Sequence, residues 1–495
     1  MATKAPTGVQ TKTVGYDGFQ GLDVSRDTTS LDTGKGQHLA QVTNAFCDWR
    51  GQIVRDPGAK LVQGEHPILN VNFYSAANVV YAEQDGAGIN LVSEDDHRYA
   101  NAFPSGSNVT SAVFNRKVHF FSSGSQSISY DGIKYTPNGS PDLNELRPSF
   151  AASVARRFCV AGVSGRETQI FLSRVDDDGI FPGDEPLDSN SVLRAGAIDV
   201  SNQLGTSEVI TGLAKFEQTR LAVFTSDRVL IYAIDANIDL WALDDKASIN
   251  VGCVSHATIT RAGSDILFCS RSGVHSLRRS VDNGITIEGT ELSEKIDIKY
   301  RELIASVESP EDITATYDPD MSQYHIFFPQ RGGVLSKRLT LTVTPEGKPK
   351  WSEGTFLNAR CGSFQGGRLV YGSSGGIYDI AKIEEESDVH PEMVVTTPVL
   401  WHGSFTETKT VNSLIIQADG SGSATLEVID DVGRTIGSLS FEISDSADDN
   451  YFPDVPLSRQ YERKLEMRYR AAQYRLTING KGLCRIIGIG VILRK

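Results

Sequence analysis

A loose repeat limits what this chain can fold into. An apolar strand, a turn rich in Ser, Gly, Asp or Arg, and a second apolar strand begin near Asn70 (NVNFYSAANVVYAEQDGAGINLV). The unit returns near Ser111, Phe150, Leu213, Val254, Ile313 and Ala359. The starts lie roughly 40 to 60 residues apart, the spacing of propeller blades with occasional insertions. The copy from Val254 to Leu277 is the most demanding. It reads as a three-strand meander with strands at His256 to Thr260, Ile266 to Cys269 and Val274 to Leu277. Ile266-Leu267-Phe268-Cys269 has no polar position, so that strand must be covered on both faces. One meander cannot do this alone, and similar sheets have to stack on either side. A single large β-sandwich is the competing arrangement, but sandwiches do not usually run through so many successive meanders.

A chain of 495 residues exceeds one compact core, so two or three domains are expected. Its 46 glycines and 22% charged residues suit an all-β protein with many turns. Cys47, Cys159, Cys253, Cys269, Cys361 and Cys484 lie far apart, most of them in apolar runs, and read as reduced core residues. The N-terminal stretch has no apolar signal core and no segment approaches the length of a membrane span, so folding in a cytoplasm is expected.

Along the chain, residues 1–64 read as a polar arm, flexible or extended, followed by a segment in which Gln52 to Arg55 forms a strand before the Pro57-Gly58 turn. That segment is placed to complete a sheet begun by the end of the chain. Residues 65–385 form the β-propeller of six or seven blades. Helical insertions are expected after Thr290, where Leu292, Ile296 and Leu303 make a partial stripe before Pro310, and as a short helix or loop over Asp235 to Asp245. The run Glu384-Glu385-Glu386-Ser387-Asp388 before Pro391 marks a boundary. Residues 386–495 then supply about seven strands for a C-terminal β-sandwich, with Leu465, Met467 and Tyr469 alternating with Lys464, Glu466, Arg468 and Arg470.

Signals for chemistry are weak. Gly372-Ser373-Ser374-Gly375-Gly376 matches GxSxG, but a nucleophile elbow needs a helix behind it, and Ile377-Tyr378-Asp379-Ile380 is another strand, so this is a hairpin turn. His119, His256, His275 and His325 fall in strand segments without ligand spacing and read as packing or surface residues. Asp176-Asp177-Asp178-Gly179 and Asp445 to Asp449 lack the alternation of a Ca²⁺ loop and read as solvated acidic loops. No catalytic, metal or cofactor residue is assigned, and no cofactor is expected. Propeller glycosidases work through carboxylates that converge at the channel, so a carbohydrate-binding or glycoside-hydrolysing propeller is the alternative. A peptide-binding scaffold propeller is weakened by the lack of a WD-type repeat.

Charge is the sharpest feature. The formal net charge is -14, which disfavours a free-standing nucleic-acid binder. Yet residues 459–495 carry ten Lys or Arg against two Glu, a local +8 that leaves -22 on the rest. Such separation points the C-terminal strands at something acidic, a neighbouring subunit or nucleic acid. Arg459, Arg463, Arg468, Arg470 and Arg475 are the candidate interface residues.

Taken together, Gly21-Leu22-Asp23, Asn44, Gly51 and Arg55-Asp56-Pro57-Gly58, then Val229 to Tyr232, Gly252 to Ser255, Ser272 to Val274, Thr316-Tyr317-Asp318 and Tyr324 to Phe328 follow a recognisable order. With the C-terminal sandwich, this layout resembles the β-propeller tail proteins of short-tailed bacteriophages, their nozzle or tail-stabilisation hub proteins. The likeness is one of layout and short motifs over most of the chain. It implies a non-enzymatic structural virion protein, assembled in the host cytoplasm into a ring, a hexamer in the family pattern. Adaptor and fibre or spike proteins would be its partners, and viral DNA would pass through the lumen during ejection. The family has no catalytic motif to carry over.

Overall fold

The computed structural model describes residues 11–26, 38–184, 192–278, 291–330, 335–345, 347–380, 387–402, 406–444, 459–481 and 483–494. Its contacts divide the chain into two units that are not consecutive stretches. One combines residues 1–60, 339–356 and 381–495; the other combines 61–338 and 357–380. The sequence boundaries after residues 64 and 385 therefore miss the excursion at 339–356, which no change of composition announces.

The larger unit is the propeller. Antiparallel sheets follow one another in chain order, each starting with its innermost strand. The first holds Ile68–Ser75, Asn78–Asp85, Gly88–Ser93 and Arg98–Pro104; the second holds Thr110–Phe114, Lys117–Phe121, Ile128–Tyr130 and Tyr135–Pro137. The third holds Phe150–Val154, Arg157–Ala161, Gln169–Leu172 and Gly196–Asp199; the fourth holds Ile210–Phe216, Arg220–Thr225, Val229–Ala233 and Ala242–Leu243. The fifth has Thr260–Ala262, Asp265–Cys269 and Val274–Ser276. A hairpin, Thr314–Asp318 with Gln323–Phe328, stands next, and the sixth blade comprises Ala359–Gln365, Arg368–Ser373 and Gly376–Ile380.

Middle strands of the blades are dry, as the run at Ile266 requires. Arg157–Ala161 and Gln323–Phe328 are buried along their whole length. Each large apolar side chain fully buried there contributes about 1.5–3 kcal/mol. The cores lie between blades: Val80, Ile89 and Leu91 of the first pack on Val118, Phe120 and Ile128 of the second, and Ile68, Val71 and Phe73 meet Cys361, Val370 and Ile377 of the sixth. All six cysteines are free and buried.

Two devices close the ring. Strand Ala59–Gln63 joins the outer edge of the sixth blade, so chain from before the propeller finishes the blade that comes last. Arg368 of that blade forms a two-pronged pair with Glu94 beside the first, at 2.9 and 3.0 Å, while its Nε donates to Asp379 at 2.8 Å.

The expected strand from His256 is a 3-10 turn, His256–Thr258, and the strand begins only at Thr260. Ser255 explains it: its hydroxyl accepts from Ala257 N–H and holds the backbone in a turn. The insertion before Pro310 is helical, a 3-10 turn at Glu294–Ile296 running into an α-helix at Asp297–Ser306. Asp235 to Asp245 contains a single 3-10 turn, Ile238–Leu240, capped by Asn237. The GxSxG string is the turn between Arg368–Ser373 and Gly376–Ile380.

In the other unit, two sheets enclose one core that includes Tyr16, Phe19, Leu414, Ile416, Leu426, Tyr474, Leu476 and Val491. All seven strands expected after residue 391 are present, from Met393–Thr396 to Cys484–Arg494. Residues before the propeller complete both sheets. Gln41–Thr43 pairs with Met393–Thr396, while Ile53–Arg55 and Thr11–Asp17 pair with Cys484–Arg494. Thus Ile53–Arg55 does complete a sheet with the chain end, and Thr11–Asp17 of the arm is an ordered strand with Tyr16 in the core.

Candidate functional site

Inner strands of the blades converge at the centre of the propeller. They present short polar side chains that bond between neighbouring blades. Ser111 Oγ donates to Asn70 Oδ1 at 2.7 Å, Asn72 Nδ2 to Ser111 Oγ at 3.1 Å, Thr110 Oγ1 to Ser149 O at 2.6 Å, and Thr314 Oγ1 to Arg360 O at 2.9 Å. His256 Nδ1 accepts from Leu213 N–H at 3.4 Å, and its ring stacks on Phe150 at 4.9 Å. What remains inside is a cavity of about 190 Å³ that includes Asn70, Ser111, His256 and Gly362 in its lining. At one end a second cavity, about 290 Å³, opens over the Phe150 and His256 rings. Sequence reading missed both, since no motif marks strands that meet only after the ring closes.

Buried histidines populate this unit. Burial holds His256 and His275 down at about 4, and His119 also at about 4, with Lys117 adding to burial and Asp178 opposing it. His325 lies well below the usual range through burial and then through the nearby Arg338 guanidinium. These rings are packing residues: His119 lies 4.7 Å from Phe158 and His325 5.8 Å from Tyr371. His275 Nε2 is 3.0 Å from Ser270 Oγ, the spacing of a nucleophile and its base. Both residues are buried, however, and Ser270 Oγ is engaged with Gly273 O and with the N–H groups of Ser272 and Gly273. No carboxylate orients the far side of the ring among the described residues. The pair holds a turn.

The acidic loop is spoken for within the fold. Asp178 meets Lys117 Nζ at 2.8 Å and His119 Nε2 at 3.4 Å; burial pushes its carboxyl up, but those two groups hold it below the usual range. Asp176 pairs with Arg156, and Asp177 Oδ1 accepts from Gly179 N–H. Among the described residues no cluster of three or more His, Cys, Asp or Glu could hold a metal ion. Asp445 to Asp449 lie outside the described residues.

The basic set lies on the sandwich. Arg459, Arg463 and Arg468 belong to Arg459–Tyr469, the edge strand of its sheet, opposite Ala418, Leu414 and Thr410. The side chains of Arg459 and Arg463 fall outside what is described, whereas Arg468 is exposed. Arg470 Nε donates to Asp431 at 2.9 Å, and Arg475 lies 3.6 Å from Glu427, its neighbour across the strands. Of the three whose side chains are described, Arg470 and Arg475 answer nearby acids and Arg468 is exposed.

No family model matches this chain, and no curated protein matches it. Solved structures superpose on it only distantly. Virginiamycin B lyase from Staphylococcus aureus aligns at 10% identity over 67% of this chain and 99% of that one, with a TM-score of 0.38. YCF48 bound to D1 peptide aligns at 10% identity over 66% and 96%, TM-score 0.39, and BamB from Moraxella catarrhalis at 9% identity over 66% and 96%, TM-score 0.34. Likenesses of this size say nothing about activity or partners.

Proposed function

We propose that the protein is a structural, non-catalytic component of a bacteriophage tail. It assembles there as a ring of about six copies between the head adaptor and the fibres or spikes, and viral DNA travels through the lumen. The supporting observation is the segregated charge: +8 over residues 459–495, with Lys464, Arg468 and Lys481 on exposed positions of the sandwich, against -22 elsewhere. Copies carrying opposite charge on different surfaces attract head to tail, and head-to-tail contacts that close make rings.

The conduit is the space enclosed by the ring and not the propeller's own axis. A cavity of about 190 Å³ bridged by interblade hydrogen bonds has room for a few waters, at about 30 Å³ each. An acidic lumen wall would let DNA slide without adhering.

The test is light scattering after size exclusion, with electron microscopy of the same peak, alone and after mixing with a head adaptor. A ring is expected, and Arg468→Glu should weaken its assembly while leaving the melting temperature unchanged. Arg468 is the informative position, because reversal at Arg470 or Arg475 also breaks pairs within the fold. A protein that stays monomeric under both conditions removes the proposal.

A further inference from the structure

The cavity at the propeller mouth has the make-up of a ligand site, and we infer that it binds a neutral sugar, a monosaccharide unit or the end of a glycan. This stands independently of the ring reading. At about 290 Å³ it falls just below the range of drug-sized ligand pockets, roughly 300–1,000 Å³, which suits a small ligand. The floor is apolar, from Phe150, Val163, Ile210 and an exposed Val209, and the Phe150 ring lies against His256 with 18° between planes. Around it stand Ser164, Glu167 and Glu311. An apolar floor within a ring of hydroxyl and carboxylate groups suits a sugar, which has a C–H face and hydroxyls around its edge. No Lys or Arg lines the cavity, which disfavours phosphate or carboxylate ligands.

The walls are fixed in advance. Asn108 Nδ2 and Ser255 Oγ both donate to Glu311 O, at 2.7 and 3.0 Å, and Ser149 Oγ donates to Gly162 O at 2.7 Å. A ligand would meet groups that need no reordering, which lowers the cost of binding. Polar side chains that remain exposed at the wall include Ser164, Glu167 and Glu311, so a ligand can reach a hydroxyl and two carboxylates without any rearrangement.

The experiment is calorimetry and saturation-transfer NMR on the full chain with a panel of neutral mono- and oligosaccharides, using arginine amide and inorganic phosphate as comparison probes. At least one neutral sugar should bind, and Glu167→Gln should weaken it severalfold. In the free protein the same change should leave thermal stability unchanged, because Glu167 is exposed. Glu311→Gln, on an exposed residue, should weaken binding without unfolding. The inference is overturned if no neutral sugar binds at millimolar concentration, if arginine amide or phosphate binds instead, or if sugar binding is indifferent to both substitutions.

Discussion

Mild acid should destabilise the propeller before its carboxylates titrate. His119, His275 and His325 are 0%, 1% and 4% exposed. Burial holds the first two at about 4 against an ordinary 6.5, and His325 well below 6.5. An unfolded chain would bind a proton at each of these sites from about pH 6.5 downward, while folded His119 and His275 refuse it until near pH 4 and folded His325 is held neutral in the same direction. In that window the unfolded state holds more protons, so stability falls as pH falls, by up to about 1.4 kcal/mol per pH unit per histidine. At pH 5 His119 and His275 account for about 2 kcal/mol each, and His325 and His256 add to the loss in the same direction. His256 keeps some surface toward the mouth cavity, and solvent there screens its share.

Whole domains have only about 5–15 kcal/mol in hand, so the loss is a large fraction. Melting temperatures at fixed ionic strength should be flat from pH 8 to 7 and fall by about 10 °C or more by pH 5. Replacing His275 with Gln should lower stability at pH 7 and reduce the slope between pH 6.5 and 5 by about one proton. A midpoint constant within about 2 °C from pH 7 to 5 would refute the reasoning, because it would mean that these rings protonate without leaving the core.

Two further outcomes follow from buried or shared charge. Arg157 is 1% exposed, and its guanidinium donates to Ser173 O, Arg194 O and Val192 O at 2.9, 2.5 and 2.8 Å. Arg157→Leu leaves these carbonyls without their donor, should cost about 1–3 kcal/mol or more by chemical denaturation, and should speed amide exchange around Val192 to Arg194. At the ring closure, a double-mutant cycle on Arg368→Ala and Glu94→Ala should show a coupling of about 1–3 kcal/mol. A coupling near zero would mean that the apolar contacts between the first and sixth blades close the ring unaided.

The parts legible in the sequence are those set by local pattern. The all-apolar run at Ile266 gave a wholly buried strand, and the seven C-terminal strands sit where alternation put them. Tyr469 points into the core while Arg468 and Arg470 face out, as period two requires. The turn at His256–Thr258 was not legible, because a single side-chain hydrogen bond from Ser255 outweighs a strand-like pattern.

Pairings distant in sequence left still less trace. Thr11 lies opposite Arg494, and only Val14 and Tyr16 offered an apolar alternation to suggest a strand there. Register has the same effect on charge. Whether Arg475 is free to meet a partner depends on its lying opposite Glu427, and that is fixed by how Gly422–Asp430 aligns with Ala472–Asn479, not by either strand alone. A one-residue slip would turn every side chain to the other face. The count of basic residues near the chain end therefore shows that a field exists, while the register decides which residues remain to exert it, and among the five arginines that leaves Arg468 as the described position where a partner's acid would meet the least competition.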